Sequence, residues 1–78
     1  MPRFYLNLRD GGELNDPEGV EVESVEAARN AAIRGARDIL AEEIRGGEMN
    51  LGEMIDVVDE LGKIVSTVAF RDAVTIVE

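Results

Sequence analysis

The stretch SVEAARNAAIRGARDILAEEIR, residues 24–45, decides the fold because its apolar residues recur with the period of one long amphipathic helix. At about 100° per residue, alanines dominate one face of this helix. That face contains Val25, Ala28, Ala32, Ala36, Ile39 and Leu40. Side chains this small allow the helix backbone to approach a flat partner closely. We therefore predict that the helix packs on a β-sheet.

Residues at both ends of this stretch favour helix termini. The Ser24 hydroxyl can accept a hydrogen bond from a free N–H group of the first turn. Glu26 places a negative charge near the positive end of the helix dipole. Gly46 and Gly47 can take the left-handed conformation that ends a helix. The helix is therefore predicted to begin after Ser24 and to end before Gly46.

Four other segments have the composition of short strands. Residues 3–9 alternate apolar and polar side chains, as a half-buried strand does, and residues 20–22 form a shorter segment of the same kind. Residues 53–59 and 64–70 flank a hairpin signal, in which Asp59 starts the turn and Gly62 takes a left-handed position. The alternation in the last strand predicts one shared face for Ile64, Ser66, Val68 and Phe70.

The predicted fold is a single two-layer α+β domain over residues 1–78. A small, mostly antiparallel sheet (order β-β-α-β-β, with a candidate extra C-terminal strand) is covered on one face by the long helix. A helix of about 20 residues is longer than a seven-residue strand, so a helix end should overhang the sheet. The expected core contains Phe4, Leu6, Leu8, Val22, Val25, Ala28, Ala32, Ala36, Ile39, Leu40, Ile55, Val57, Val68 and Phe70.

Composition excludes several kinds of chemistry. The chain contains no histidine and no cysteine, so it has no imidazole base, no thiol nucleophile and no disulfide. No apolar run resembles a signal peptide or is long enough to span a membrane. We therefore expect a cytoplasmic protein that is not an enzyme, has no catalytic residues and uses no cofactor.

The net charge of −9, from eight basic and seventeen acidic residues, is the strongest compositional feature. It argues against nucleic-acid binding, which depends largely on lysine and arginine at phosphates. Two interpretations remain open. The charge keeps the protein soluble, or it attracts a basic partner surface.

One acidic loop is a candidate metal site. Asp10, Glu13, Asp16 and Glu18 offer the carboxylate oxygens that calcium prefers. Their spacing does not match the EF-hand loop, and a solvated loop is the simpler interpretation. The adjacent Gly11-Gly12 is not followed by the lysine and hydroxyl residue of a phosphate-binding loop.

Two Arg-Asp pairs form a second candidate. Arg9 and Asp10 end the first predicted strand, and Arg71 and Asp72 end the fourth. These four residues are expected to form a cross-strand ion-pair cluster or a recognition rim at one end of the sheet. Arg29 borders the apolar face of the helix, so its aliphatic stem is expected to lie along the sheet.

The C-terminal residues 73–77 are β-prone, mostly apolar and uncharged. Such a segment must pair with its own sheet, pair with another chain, or fray. A small domain gains much from association, and self-pairing of an edge is naturally two-fold. We therefore predict a homodimer with Val74 and Ile76 in its interface.

Five motifs lie along the chain: FYLNLRDG at residues 4–11, DPEGVE at 16–21, VEAAR at 25–29, VVDELGK at 57–63 and VAFRDA at 68–73. With these motifs the chain resembles a family of small bacterial proteins known only as a domain of unknown function. The resemblance implies a compact bacterial domain and supplies no catalytic residues.

These observations predict a non-enzymatic, small acidic interaction module of a bacterial cytoplasm. Its expected partners are a second copy and a basic protein, which it would bind as an antitoxin or inhibitor does, and no nucleic acid or membrane. The alternative is a small metal-binding or enzymatic domain that uses the acidic loop at residues 10–18.

Overall fold

A computed structural model describes all residues from 1 to 78 and has the predicted α+β architecture. Five antiparallel strands form one sheet, and a single long helix packs across one of its faces. In chain order the elements are β1 (Arg3–Arg9), β2 (Glu13–Leu14), β3 (Val20–Glu21), α1 (Val25–Arg45), β4 (Met54–Val58), β5 (Ile64–Ala69) and α2 (Phe70–Ala73).

Both predicted ends of α1 are confirmed. The Ser24 Oγ accepts a hydrogen bond of 3.1 Å from the Ala27 N–H. At the other end Gly47 has a φ of 88°, and the Gly47 and Glu48 N–H groups donate to the carbonyls of Ile44 and Glu43. This pair of bonds is a Schellman motif, which satisfies the last helix carbonyls. Local sequence therefore defines the length of the helix.

The alanine spine forms the helix side of the core, because Ala28, Ala32 and Ala36 are fully buried. The remaining buried hydrophobic residues are Phe4, Leu40, Ile55, Val57, Val68, Phe70 and Ala73. Other predicted core residues are only half-buried, namely Leu6, Leu8, Val22 and Ile39. The prediction that Val25 lies in the core is wrong, since this residue is 40 % exposed. It lies in the first turn, where a helix of 21 residues extends beyond strands of seven residues or fewer.

The sheet has the order β2-β1-β4-β5, and β3 also pairs with β1. β2 pairs with Leu8 and Arg9 at one end of β1, whereas β3 pairs with Arg3 and Phe4 at the other. The two short strands therefore close the outer edge of β1. β5 has β4 as its sole neighbour and leaves the opposite edge of the sheet open.

The hairpin between β4 and β5 is confirmed, and it contains an irregularity that the sequence pattern missed. Gly62 has a φ of 83°, and the Asp59 carboxylate accepts from the N–H groups of Leu61 and Lys63. The register then shifts, because Val57 pairs with Ser66 whereas Val58 pairs with Ile64. The shift moves Ile64 away from the face shared by Ser66 and Val68, and Ile64 is 54 % exposed.

The predicted extra C-terminal strand is absent from the chain. Residues 70–73 form α2, where Phe70 and Ala73 are buried three residues apart on one helical face. Arg37 of α1 donates from Nε to the Ala73 carbonyl at 2.7 Å. Residues 74–78 follow without regular secondary structure. Phe70 therefore belongs to α2 rather than to the preceding strand, and residues 74–77 form no strand with their own sheet.

Candidate functional site: a glutamate pair at the end of the long helix

The expected ion-pair cluster at the strand ends does not form. Arg9 instead binds Asp56 of β4 through Nε and Nη2, each at 3.1 Å from a carboxylate oxygen. Asp10, Arg71 and Asp72 are exposed and form no ion pair. The reason is the position of β4 between β1 and β5, which separates the two strand ends by about 10 Å.

The Arg9–Asp56 pair has a structural role on the sheet face opposite the helix. Asp56 is 2 % exposed, and its carboxylate also accepts from the Thr67 hydroxyl at 2.9 Å. A buried carboxylate needs such partners because its desolvation is unfavourable. This network therefore joins β1, β4 and β5 and offers no free group for chemistry.

The acidic loop at residues 10–18 does not gather its carboxylates around one point. Asp16 turns toward β1, where it accepts from the Leu6 N–H at 3.3 Å. Its other oxygen accepts from the N–H groups of Glu18 and Gly19 at 3.2 and 3.1 Å. Nowhere in the chain do three acidic side chains come close enough to hold a metal ion. The metal-site alternative therefore has no support in the geometry of this loop.

Sequence reasoning did not single out the site that the structure forms, a hydrogen-bonded pair of Glu43 and Glu53. Glu43 lies in the last turns of α1, and Glu53 directly precedes β4. Glu53 is 4 % exposed, and its carbonyl accepts the Phe70 N–H at 3.0 Å. Glu43 accepts the Asn50 N–H at 2.9 Å. The pair therefore links the end of the helix to the start of the central strand.

This geometry separates the pKa values of the two glutamates. Burial, the hydrogen bond to Glu43 and the negative charges of Glu43 and Asp10 raise the pKa of Glu53 to about 7. The hydrogen bonds from Glu53 and from the Asn50 N–H lower the pKa of Glu43. The pair therefore keeps a proton at pH values where an ordinary glutamate has lost it.

A hollow of about 400 Å³ opens beside this pair. Its lining, which we call the glutamate hollow, consists of Glu42, Glu43, Gly46, Glu48, Asn50 and Glu53 and includes no hydrophobic residue. Asn50 shapes one wall, because its side chain accepts the Gly52 N–H at 2.9 Å. The negative end of the α1 dipole also lies here. The hollow therefore favours a cation over an anion or an apolar group.

A weak signal for both glutamates is present in the sequence. Glu53 precedes Ile55 and Val57 at intervals of two, which places it on the helix-facing side of its strand. Glu43 follows Leu40 by three residues and Ala36 by seven, which places it on the buried face of the helix. A carboxylate at a core-facing position of each element is the pattern to look for. Their meeting still depends on the sheet order.

The fold and this site define a small acidic α+β domain with a cation-attracting hollow. The chain belongs to the family described as a domain of unknown function, DUF6894, whose model matches residues 3–71. No curated protein and no solved structure matches it. In addition, none of its helices is long and apolar enough to cross a lipid bilayer.

Proposed function

We propose that the protein is a non-enzymatic interaction module of the bacterial cytoplasm that captures a basic protein. In this proposal, the glutamate hollow receives a lysine or arginine side chain of the partner. The observation that carries the proposal is the lining of the hollow, with four carboxylates and no basic or apolar residue. The net charge of −9 extends the attraction beyond the hollow.

The ion pairs of the chain leave most of this charge available. Arg45 binds Glu42 on the surface of α1, and the other two ion pairs of the chain lie elsewhere. Glu43, Glu48 and Glu53 therefore face the hollow without a basic partner. A cation from another molecule supplies the missing counter-charge.

Acid–base catalysis by Glu43 and Glu53 is less well supported. A carboxyl group with a raised pKa is typical of catalytic acids. However, enzyme sites are generally apolar cavities in which a few polar groups orient the substrate. No hydrophobic residue lines the glutamate hollow, and the chain has no histidine or cysteine to act with the pair. Binding is the function that this lining supports best.

A peptide titration followed by NMR tests the proposal. The probe is a short arginine- and lysine-containing peptide, and the control is the same peptide with glutamine at each basic position. We expect saturable shifts at residues 42–53 with the basic peptide alone, weakened by salt. Glu48→Gln should weaken binding more than Glu13→Gln, which makes the same charge change outside the hollow.

Two results would contradict the proposal. One is equal binding of the basic and glutamine peptides, and the other is equal weakening by Glu48→Gln and Glu13→Gln. The second result would assign the attraction to net charge alone. If the peptide binds as expected, the same two variants serve as matched baits for recovering the natural partner from a bacterial lysate at low and moderate salt.

A further inference from the structure

The β5 edge of the sheet has no strand partner in the chain. In an edge strand every second residue turns its N–H and C=O groups outward, where they are available to another strand. Residues 64–70 carry no charge, although 32 % of the chain is charged. Arg29 of α1 is the side chain that binds this edge strand, and it donates to the Ser66 hydroxyl at 2.9 Å and to the Thr67 carbonyl at 3.0 Å.

The C-terminal segment, residues 74–78, is also unpaired. It takes part in no strand ladder, and Ile76 and Val77 are 62 % and 87 % exposed. Its start is fixed to the rest of the chain, because Arg37 of α1 binds the Ala73 carbonyl and Val74 packs against the core. The segment therefore presents β-prone backbone and apolar side chains to solvent.

Length and charge match the segment to the edge. Five residues in extended conformation span about the length of the six-residue β5. Lys63 precedes β5 and Arg71 follows it, and neither forms an ion pair. An antiparallel segment places Glu78 near Lys63. Pairing of β5 with a second β5 would instead place Lys63 of each copy near Arg71 of the other, which is unfavourable.

We propose that two copies of this chain exchange their C-terminal segments, each adding residues 74–78 as an antiparallel strand to the β5 edge of the other. The exchange satisfies the free backbone groups of both surfaces and buries Ile76, which in a strand shares its face with the half-buried Val74. Two-fold symmetry makes the contacts reciprocal. The surface lies on β5, so this dimer is independent of peptide binding in the glutamate hollow.

Sedimentation velocity over a concentration series tests the exchange. The wild-type chain should show a monomer–dimer equilibrium, and Ile76→Lys should weaken the dimer about tenfold or more, since a lysine opposes strand pairing. Leu61→Lys is the matched control, because Leu61 is 93 % exposed at the hairpin tip and lies outside the proposed interface. It should leave the dimer unchanged.

A charge swap tests the direction of the strand. Lys63→Glu and Glu78→Lys should each weaken the dimer by about two- to fivefold, and the double variant should restore it. Circular dichroism checks that each variant keeps its fold. A wild-type chain that stays monomeric overturns the proposal, as does a dimer that Ile76→Lys leaves intact. Single variants that weaken the dimer without rescue overturn the antiparallel placement.

Discussion

The chain closes the β1 edge of the sheet itself, whereas at the β5 edge the sheet ends on an unpaired strand. Along β1, β3 pairs with one end and β2 with the other. Between them the Asp16 carboxylate accepts the Leu6 N–H, and the Asp16 N–H donates to the Asn7 side chain. Along β5, the one side chain that bonds the strand from outside the hairpin is Arg29.

The two edge strands differ in how their free backbone groups are paired. At β1, residues 13–21 supply both backbone and side-chain partners, so the chain completes this edge itself. At β5, one guanidinium covers one carbonyl, which leaves the edge able to accept another strand. Substitutions at β1 should therefore reduce stability, whereas substitutions at β5 should mainly change association.

The largest effect is expected from Gly19→Ala at the closed edge. Gly19 has a φ of 72°, and an added Cβ would lie 2.8 Å from the Phe4 carbonyl oxygen. Strain and displacement of β3 should lower the free energy of unfolding by about 2–4 kcal/mol. The control is Gly11→Ala, which has a φ of 98° but open space around its Cβ. Urea denaturation that finds equal losses for the two variants would show that the close approach of β3 is unimportant.

Asp16→Ala should have the second largest effect. It removes the acceptor for the Leu6, Glu18 and Gly19 N–H groups. Loss of these bonds at a partly buried position should lower the free energy of unfolding by about 1–3 kcal/mol. Hydrogen exchange at the Leu6 amide, measured by NMR, should accelerate. An unchanged exchange rate at Leu6 would mean that β2 and β3 close the edge without Asp16.

Glu53 precedes β4, the strand between the two edges. Its titration should make the stability of the fold depend on pH. Because the pKa of Glu53 is raised to about 7 from an ordinary value of 4.5, the folded state binds more protons than the unfolded state between these values. The Glu53 contribution to stability is complete below pH 4.5 and is lost as the pH rises through about 7. The lowered pKa of Glu43 acts in the opposite sense, as the pH falls below its ordinary value of 4.5.

Glu53→Gln should therefore stabilise the protein at pH 8, by about 1–3 kcal/mol, and flatten its stability profile between pH 5 and pH 8. Thermal melts of this variant beside Glu13→Gln measure the difference. A parallel profile for the wild type and Glu53→Gln would mean that Glu53 does not titrate in this range. If the hollow binds a basic peptide, affinity should rise through about pH 7 in the wild type and stay flat in Glu53→Gln.

The smallest effect on stability is expected from Arg29→Ala at the open edge. It removes bonds from the Arg29 guanidinium to Ser66 and Thr67, at a position that solvent partly screens. The free energy of unfolding should fall by about 0.5–1 kcal/mol. A loss as large as that of Asp16→Ala would remove the distinction between the two edges.

Much of the fold could be predicted because its signals are local. The end of α1 follows from Gly46 and Gly47, and the turn before β5 follows from Asp59 and Gly62. The pairing of Glu43 with Glu53 was harder to predict from the sequence. Burial of Glu53 follows from the alternation of its strand, but its partner, Glu43, comes from the end of α1 through a seven-residue connection that has no periodicity.

The sequence by itself determined the identity of the elements, since caps, turns and periodicity act over a few residues. Only the tertiary structure decided which distant residues meet. The position of β4 between β1 and β5 gives Arg9 the partner Asp56, and α2, bound to α1 through Arg37, separates residues 74–78 from the end of β5. Both outcomes depend on contacts between residues far apart in the chain, whose pairing leaves no repeating pattern in the sequence.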